Sequence, residues 1–189
     1  MAGTQITLDT NLLLEYWKDQ NDRAVVEVLI ALSRSGQVDL AVTARVREDV
    51  PRPPLSDRIN QLPELNVHEA ASVTRLGSWV LGRDMLGDDR FVAVSQQLDE
   101  ELNRRGRIPP DWRDWDHLHA HFLSRRSAFL TWDERILEIA RELLERLGVV
   151  VKSPEAWLSE RGLACRSIEV QPNSGCTRRR PRDEWTDSK

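Results

Sequence analysis

The chain has 189 residues, 40% of them hydrophobic and 31% charged, with a formal net charge of −4. This balance describes one globular domain with a tail or a large insertion, and it excludes a global basic field that would announce nucleic acid, leaving only a local patch. The two cysteines, Cys165 and Cys176, make neither a disulfide framework nor a zinc spacing, no apolar run reaches spanning length, and the N-terminus lacks a basic-plus-apolar leader pattern, so a cytoplasmic protein with no membrane association is expected.

Gln5 to Leu8 reads as a first strand, followed at once by Asp9, Thr10, Asn11 and an apolar helical run from Leu12 to Lys18. Thr10 or Asn11 has an ordinary task there as a helix cap, whereas Asp9 has none so obvious. Asp22 then caps a helix with Val25, Val26, Leu29, Ile30 and Leu32 on one face, and Gly36 stops it. Val38 to Val42 is a second, β-branched strand, and strand, helices, strand in this order predicts a crossover into a parallel sheet. A short helical turn over 43–49 ends at Pro51, Pro53 and Pro54.

The stretch from about 50 to 113 reads as an irregular insertion or cap, with strand-like runs at 64–67 and 74–81 and a helix over 91–102. Asp111 or Asp114 opens the next helix, where Trp115, Leu118 and Phe122 form an apolar stripe. Ala128 to Thr131 is a short strand. Asp133 caps one long helix with Ile136, Ala140, Leu143 and Leu147 on a face, an expected Glu142–Arg146 pair, and Gly148 at its end. Val149 to Val151 reads as a buried strand, and Ser153-Pro154 opens a last helix. The expected domain is 1–165, with 166–189 as a disordered tail containing Arg178, Arg179 and Arg180.

Three acids fall at comparable places: Asp9 after the first strand, Asp133 after the strand at 128–131, and Asp116 early in the preceding helix. If the Trp115–Leu118–Phe122 stripe faces the sheet, Asp116 flanks it, while Asp114, about 200° away round the helix from Asp116, points nearly opposite. Glu48 joins from the segment after the second strand, preferred for its spacing from Thr43 and Val46, with Asp49 as the fallback. Two ionised carboxylates about 4 Å apart repel by on the order of 4 kcal/mol at an effective dielectric near 20, so such a cluster implies a cation. All-oxygen ligation selects Mg²⁺ or Mn²⁺. Asp9, Glu48, Asp116 and Asp133 are the expected ligands and catalytic residues, with Asn11 and Thr131 orienting them and His119 orienting Asp116. Arg104, Arg105, Arg107, Arg125 and Arg126 form the best local patch for an RNA backbone, and Trp132 is placed to stack a base; ordinary helix-surface and packing roles are the alternative for each.

Leu8-Asp9-Thr10-Asn11, Glu48, Asp116-His117-Leu118-His119 and Phe129-Leu130-Thr131-Trp132-Asp133, followed by Ser153-Pro154-Glu155, together resemble the PIN-domain family. The resemblance covers roughly residues 4 to 158 apart from the middle stretch. It implies a three-layer α/β/α fold with a central parallel sheet and a metal-dependent endoribonuclease acting on RNA. It also implies a toxin of a toxin–antitoxin pair with an antitoxin protein as partner, and a homodimer. The alternatives are a catalytically weak PIN-like scaffold binding RNA or a protein, and a phosphatase attacking through an aspartate. The phosphatase pattern wants a second acid at position 11, which is Asn here.

Overall fold

The computed structural model describes residues 3–18, 23–50, 52–70, 72–73, 84–85 and 87–163. The Asp22 cap, the strand expected over 74–81 and the tail at 166–189 lie outside the described residues. Among the described residues, no helix is long and apolar enough to cross a membrane.

The chain builds a five-stranded, all-parallel sheet in the order β3-β2-β1-β6-β7, from β1 (Thr4–Leu8), β2 (Val38–Thr43), β3 (Val67–Ala70), β6 (Ala128–Leu130) and β7 (Val151–Lys152). A separate parallel pair joins β4 (Ser72–Val73) and β5 (Asp84–Met85). Alternation along the strands separates two cores. Ile6 and Leu8 of β1, Val38, Leu40 and Val42 of β2, and Ala128 and Leu130 of β6 face one side. There they meet Leu12, Leu13 and Trp17 of α1 (Thr10–Lys18), Val26, Leu29 and Ile30 of α2 (Arg23–Arg34), and Trp157 of α9 (Pro154–Ser159). Phe129 of β6 points the other way, into a core with Phe91 and Leu98 of α5 (Asp89–Arg104), Trp115 and Leu118 of α6 (Trp112–Ser124), and Leu143 and Leu147 of α8 (Ala140–Leu147). Helices on both faces make the α/β/α layering that the sequence predicts.

Three features differ from the sequence reading. β3 comes from the stretch expected to be an insertion, yet it pairs with β2 as an edge strand of the main sheet. Its entry is held by Asn66, whose side chain donates to the Ser33 hydroxyl at 2.7 Å while Ser33 donates to the Asn66 carbonyl at 2.9 Å. The helix expected to run unbroken from Asp133 is two, α7 (Glu134–Glu138) and α8, broken at Ile139, and Gly148 ends α8 at φ 72°. Arg146 leaves Glu142 for Glu101 on α5, at 2.9 Å, tying α8 to α5.

The strand order places a topological switch point between β1 and β6: the chain runs outward from β1 through β2 to β3, then returns to the other side of β1. Open parallel sheets leave a crevice at the carboxyl ends of strands at such a point. Leu8 is in register with both Val42 and Leu130, so Asp9 emerges level with Thr43 and Thr131. The Asp9 amide bonds the Leu130 carbonyl at 2.9 Å.

Helix α6 seals the second face and is buried from Trp115 through His121. On the sheet side His121 Nδ1 shares a 2.8 Å hydrogen bond with the Thr7 hydroxyl of β1, and its ring meets Phe129 edge-on. Burial, with a smaller push from Arg126, lowers the His121 pKa to about 3. The folded protein therefore keeps His121 neutral where the unfolded chain, with a value near 6.5, takes up a proton. This contribution to stability is complete above pH 6.5 and is lost as pH falls towards 3. Urea unfolding of the wild type should lose about 2 kcal/mol from this residue between pH 7 and pH 4.5, and His121→Asn should abolish that part of the acid dependence. An unchanged pH slope in the variant would contradict the assignment.

Candidate active site

The cleft at the switch point has a volume of about 200 Å³ and is lined by five aspartates, Asp9, Asp49, Asp111, Asp114 and Asp133, together with Asn11, Arg113 and His117. They come from separate parts of the chain. Asp9 follows β1, Asp49 ends α3 (Val46–Asp49), Asp111 and Asp114 open α6, and Asp133 caps α7.

Thr131 organises the first of these. Its hydroxyl donates to Asp9 Oδ2 at 2.6 Å while accepting from the Asp133 amide at 2.9 Å and from Asn11 Nδ2 at 3.3 Å. One hydroxyl thus links the residues after β1 to those after β6. Burial raises the Asp9 pKa despite opposition from His117 and the Thr131 hydrogen bond. Asp133 is lowered: burial works against its charge, but Arg135 outweighs it with three hydrogen bonds.

Asp49 and Asp114 are the acids that α3 and α6 bring to the cleft, in place of Glu48 and Asp116. Val46 is fully buried, and Asp49 at i+3 shares its face, whereas Glu48 at i+2 turns outward with a side chain 57% exposed. Glu48 lies 3.1 Å from Arg45, and Asp116 lies 2.7 Å from the same guanidinium. Neither lines the cleft. The Trp115–Leu118 stripe packs in the core with Phe129 of β6 and Phe91, as expected, but Asp116 beside it turns to Arg45 and not into the cleft. The residues that meet the ends of β1 and β2 are Asp114, His117 and His121, at helical spacing i, i+3 and i+7. Asp111 and Asp114 also close a capping box: Asp111 Oδ1 accepts from the amides of Arg113 and Asp114, and Asp114 Oδ2 accepts from the Asp111 amide at 2.8 Å. Burial pushes the Asp114 carboxyl up to about 6, with the Asp111 and Asp133 charges adding to it and the Asp111 amide and Arg135 opposing.

His117, to which the sequence reading gave no role in the site, lines the cleft. One ring nitrogen meets the Thr43 hydroxyl at the end of β2, and Nε2 donates to Asp49 Oδ2 at 2.6 Å. Asp49 Oδ2 also accepts from the Thr10 hydroxyl at 3.0 Å. Burial opposes a charge on the imidazole, but the Asp49 hydrogen bond and the fields of Asp9, Asp49 and Asp114 prevail and raise its pKa. The reciprocal effect on Asp49 is a lowered pKa, won against burial. The signal was available in the 114–117–121 stripe, where two histidines share one face with an acid. His119, expected to orient Asp116, instead accepts a hydrogen bond from the Asp88 amide at 2.9 Å and stacks on Phe91 at 4.2 Å.

The expected basic patch does not gather here. Arg126 is built into the sheet, its side chain 6% exposed, donating to the carbonyls of Ile6 and Asp39. Arg105 lies 3.9 Å from both Glu101 and Glu142, and Arg107 lies 3.3 Å from Glu138. Arg104 and Arg125 are exposed and do not line the cleft; Arg125 closes α6 in the left-handed region at φ 52°. Trp132 is half-buried and donates to Glu155 at 2.8 Å. Arg113 lines the cleft, beside an exposed Trp112 whose ring lies 4.4 Å from the Arg45 guanidinium carbon.

Two buried oxygens, Asn11 Oδ1 and Asp49 Oδ1, have no hydrogen-bond partner among the described residues. Unpaired acceptors beside a surplus of carboxylates suit a hard cation, and every donor in the set is an oxygen. Among the described residues, no group of three or more His, Cys, Asp or Glu is placed to hold a metal ion.

The His117–Asp49 pair yields a stability test. His117→Asn keeps a partner for Thr43 but breaks the bond to Asp49, and should cost about 3 kcal/mol at pH 6. Because the His117 pKa is raised on folding, its contribution is full below its ordinary value near 6.5 and declines as pH rises through the folded value. The gap between wild type and variant should therefore narrow from pH 6 to pH 9 in urea titrations. A constant gap would mean that the imidazole is not charged in the folded protein.

No family model matches the chain, and no curated protein matches it. Among solved structures, it is similar to one described as VapBC2 from Rickettsia felis bound to a DNA fragment from their promoter, with a TM-score of 0.45 and 11% identity, over 79% of this chain and 98% of that one. A likeness at that level adds nothing to the chemistry of the cleft, which stands on its own geometry.

Proposed function

We propose that this chain is a Mg²⁺- or Mn²⁺-dependent endoribonuclease of the PIN-like kind, hydrolysing RNA phosphodiester bonds at the switch-point cleft. The observation that carries this reading is the meeting of Asp9, Asp49, Asp114 and Asp133 around one crevice at the carboxyl ends of parallel strands, with buried oxygens of Asn11 and Asp49 left unpaired. Asp9 and the neighbouring aspartates would hold the ion, which when bound lowers the pKa of a water and offsets charge on a phosphodiester.

The remaining work falls to the chain's own groups. Thr131 fixes the rotamer of Asp9, and the Thr10 hydroxyl with His117 fixes that of Asp49. Arg113 offers a charge to an RNA phosphate at the rim. The toxin role, an antitoxin partner and a homodimeric state are proposed on the resemblance to the PIN-domain family alone.

One observation favours a second reading, a catalytically weak PIN-like scaffold that binds RNA or a protein. The acids are already engaged by protein cations, Asp49 by His117 and Asp133 by Arg135. Cleavage of a mixed RNA pool in Mn²⁺ separates the two. Under the nuclease reading the wild type cleaves, Asp9→Asn, Asp49→Asn and Asp114→Asn each lose about 100-fold or more, and Glu48→Gln stays within about twofold. Wild type without metal-dependent cleavage, yet retaining RNA, establishes the scaffold instead. Loss of activity in Glu48→Gln with retention in Asp49→Asn would return the second acid to Glu48.

A further inference from the structure

Arg135 sits across two of the cleft's acids. Its Nη2 lies 2.7 Å from Asp133 Oδ2 and 3.0 Å from Asp114 Oδ2, its Nε lies 3.2 Å from Asp133 Oδ1, and its backbone amide donates to the same oxygen at 2.8 Å. Both oxygens of Asp133 are therefore engaged by one residue. Asp114 Oδ2 is shared between Arg135 and the Asp111 amide. The planar fork of a guanidinium matches a carboxylate better than any other side-chain cation, so this contact is specific and not a diffuse attraction.

We propose that Arg135 is a built-in counter-cation that competes with the divalent ion for the Asp114–Asp133 pair, so that metal loading requires the guanidinium to leave it. The proposal rests on the metal-dependent reading above. Two contrasts support it. His117, on Asp49, is held at both ring nitrogens with a side chain only 4% exposed, whereas the Arg135 side chain is 39% exposed and extends from a five-residue helix, α7. Arg135 is thus free to swing into solvent where His117 is not. On the opposite side of the cleft, Asp49 Oδ1 has no partner to displace. The unpartnered oxygens of the cleft are thus on Asn11 and Asp49, and the guarded ones on Asp114 and Asp133. Displaced, the guanidinium remains tethered beside the cleft, where a phosphate is its natural partner.

The test is Mn²⁺ binding to the full chain without RNA, followed by electron paramagnetic resonance and by thermal unfolding with and without metal, for wild type, Arg135→Gln, Arg135→Lys and Asp9→Asn. Arg135→Gln should bind Mn²⁺ about fivefold more tightly than wild type, the size that a partly exposed ion pair commands, and the difference should shrink at high salt. Its metal-free melting temperature should fall, and saturating Mn²⁺ should restore it towards the metal-bound wild type. Arg135→Lys, which keeps the charge without the fork, should lie between the two. If Arg135→Gln loses stability but binds Mn²⁺ like wild type, Arg135 is structural and the proposal fails. If Asp9→Asn binds Mn²⁺ as tightly as wild type, the metal reading itself fails, which separates the two outcomes.

Discussion

Carboxylates crowded at the end of a buried parallel sheet have to be neutralised, and most of the structure around the cleft follows from how this chain does it. Asp9 is 6% exposed and flanked by other acids, an arrangement that desolvation alone would punish. The buried His117 on Asp49, its pKa raised, and a guanidinium across Asp114 and Asp133 meet the acids from two sides. At the cleft, Asn11 Oδ1 and Asp49 Oδ1 stay buried without a donor.

Helix α6 is the element on which that balance turns. Its Trp115 and Leu118 face the α5–α8 core, while its Asp114, His117 and His121 meet the ends of β1 and β2. The two histidines on that face behave in opposite ways: His121 is kept neutral by burial, and His117 is driven towards the charged form by the acids beside it. Four residues apart on one helix and both buried, they differ because His117 has carboxylates beside it and His121 has Arg126.

Much of the fold was legible in the chain because its signals are local. The alternation in Val38–Thr43, the Ser153-Pro154 cap and the glycine stop at Gly148 each act within a few residues. Strand β3 was hidden because its four residues, Val67–Ala70, carry only one fully buried apolar side chain and form a strand chiefly by pairing with β2. The arginines misled for a related reason. Nothing within the sequence distinguishes Arg126, sewn to carbonyls of β1 and β2, from Arg125 beside it in solvent.

By itself the sequence determined that strands alternate with helices into a parallel sheet and that Asp9, Thr131 and Asp133 stand at strand ends, since each position depends only on where a neighbouring strand stops. Which of Glu48 and Asp49, and which of Asp114 and Asp116, reaches the cleft was decided by tertiary structure alone. Neighbouring positions on a helix point about 100° apart, so the choice rests on the rotation of α3 and α6 about their axes. That rotation is set by packing with partners far along the chain: Val46 in the core under β2, Trp115 against Phe91, and His117 between Thr43 and Asp49. The pairing of Arg135 with Asp114, 21 positions earlier, belongs to the same class, because only the folded chain brings the opening of α6 beside the opening of α7.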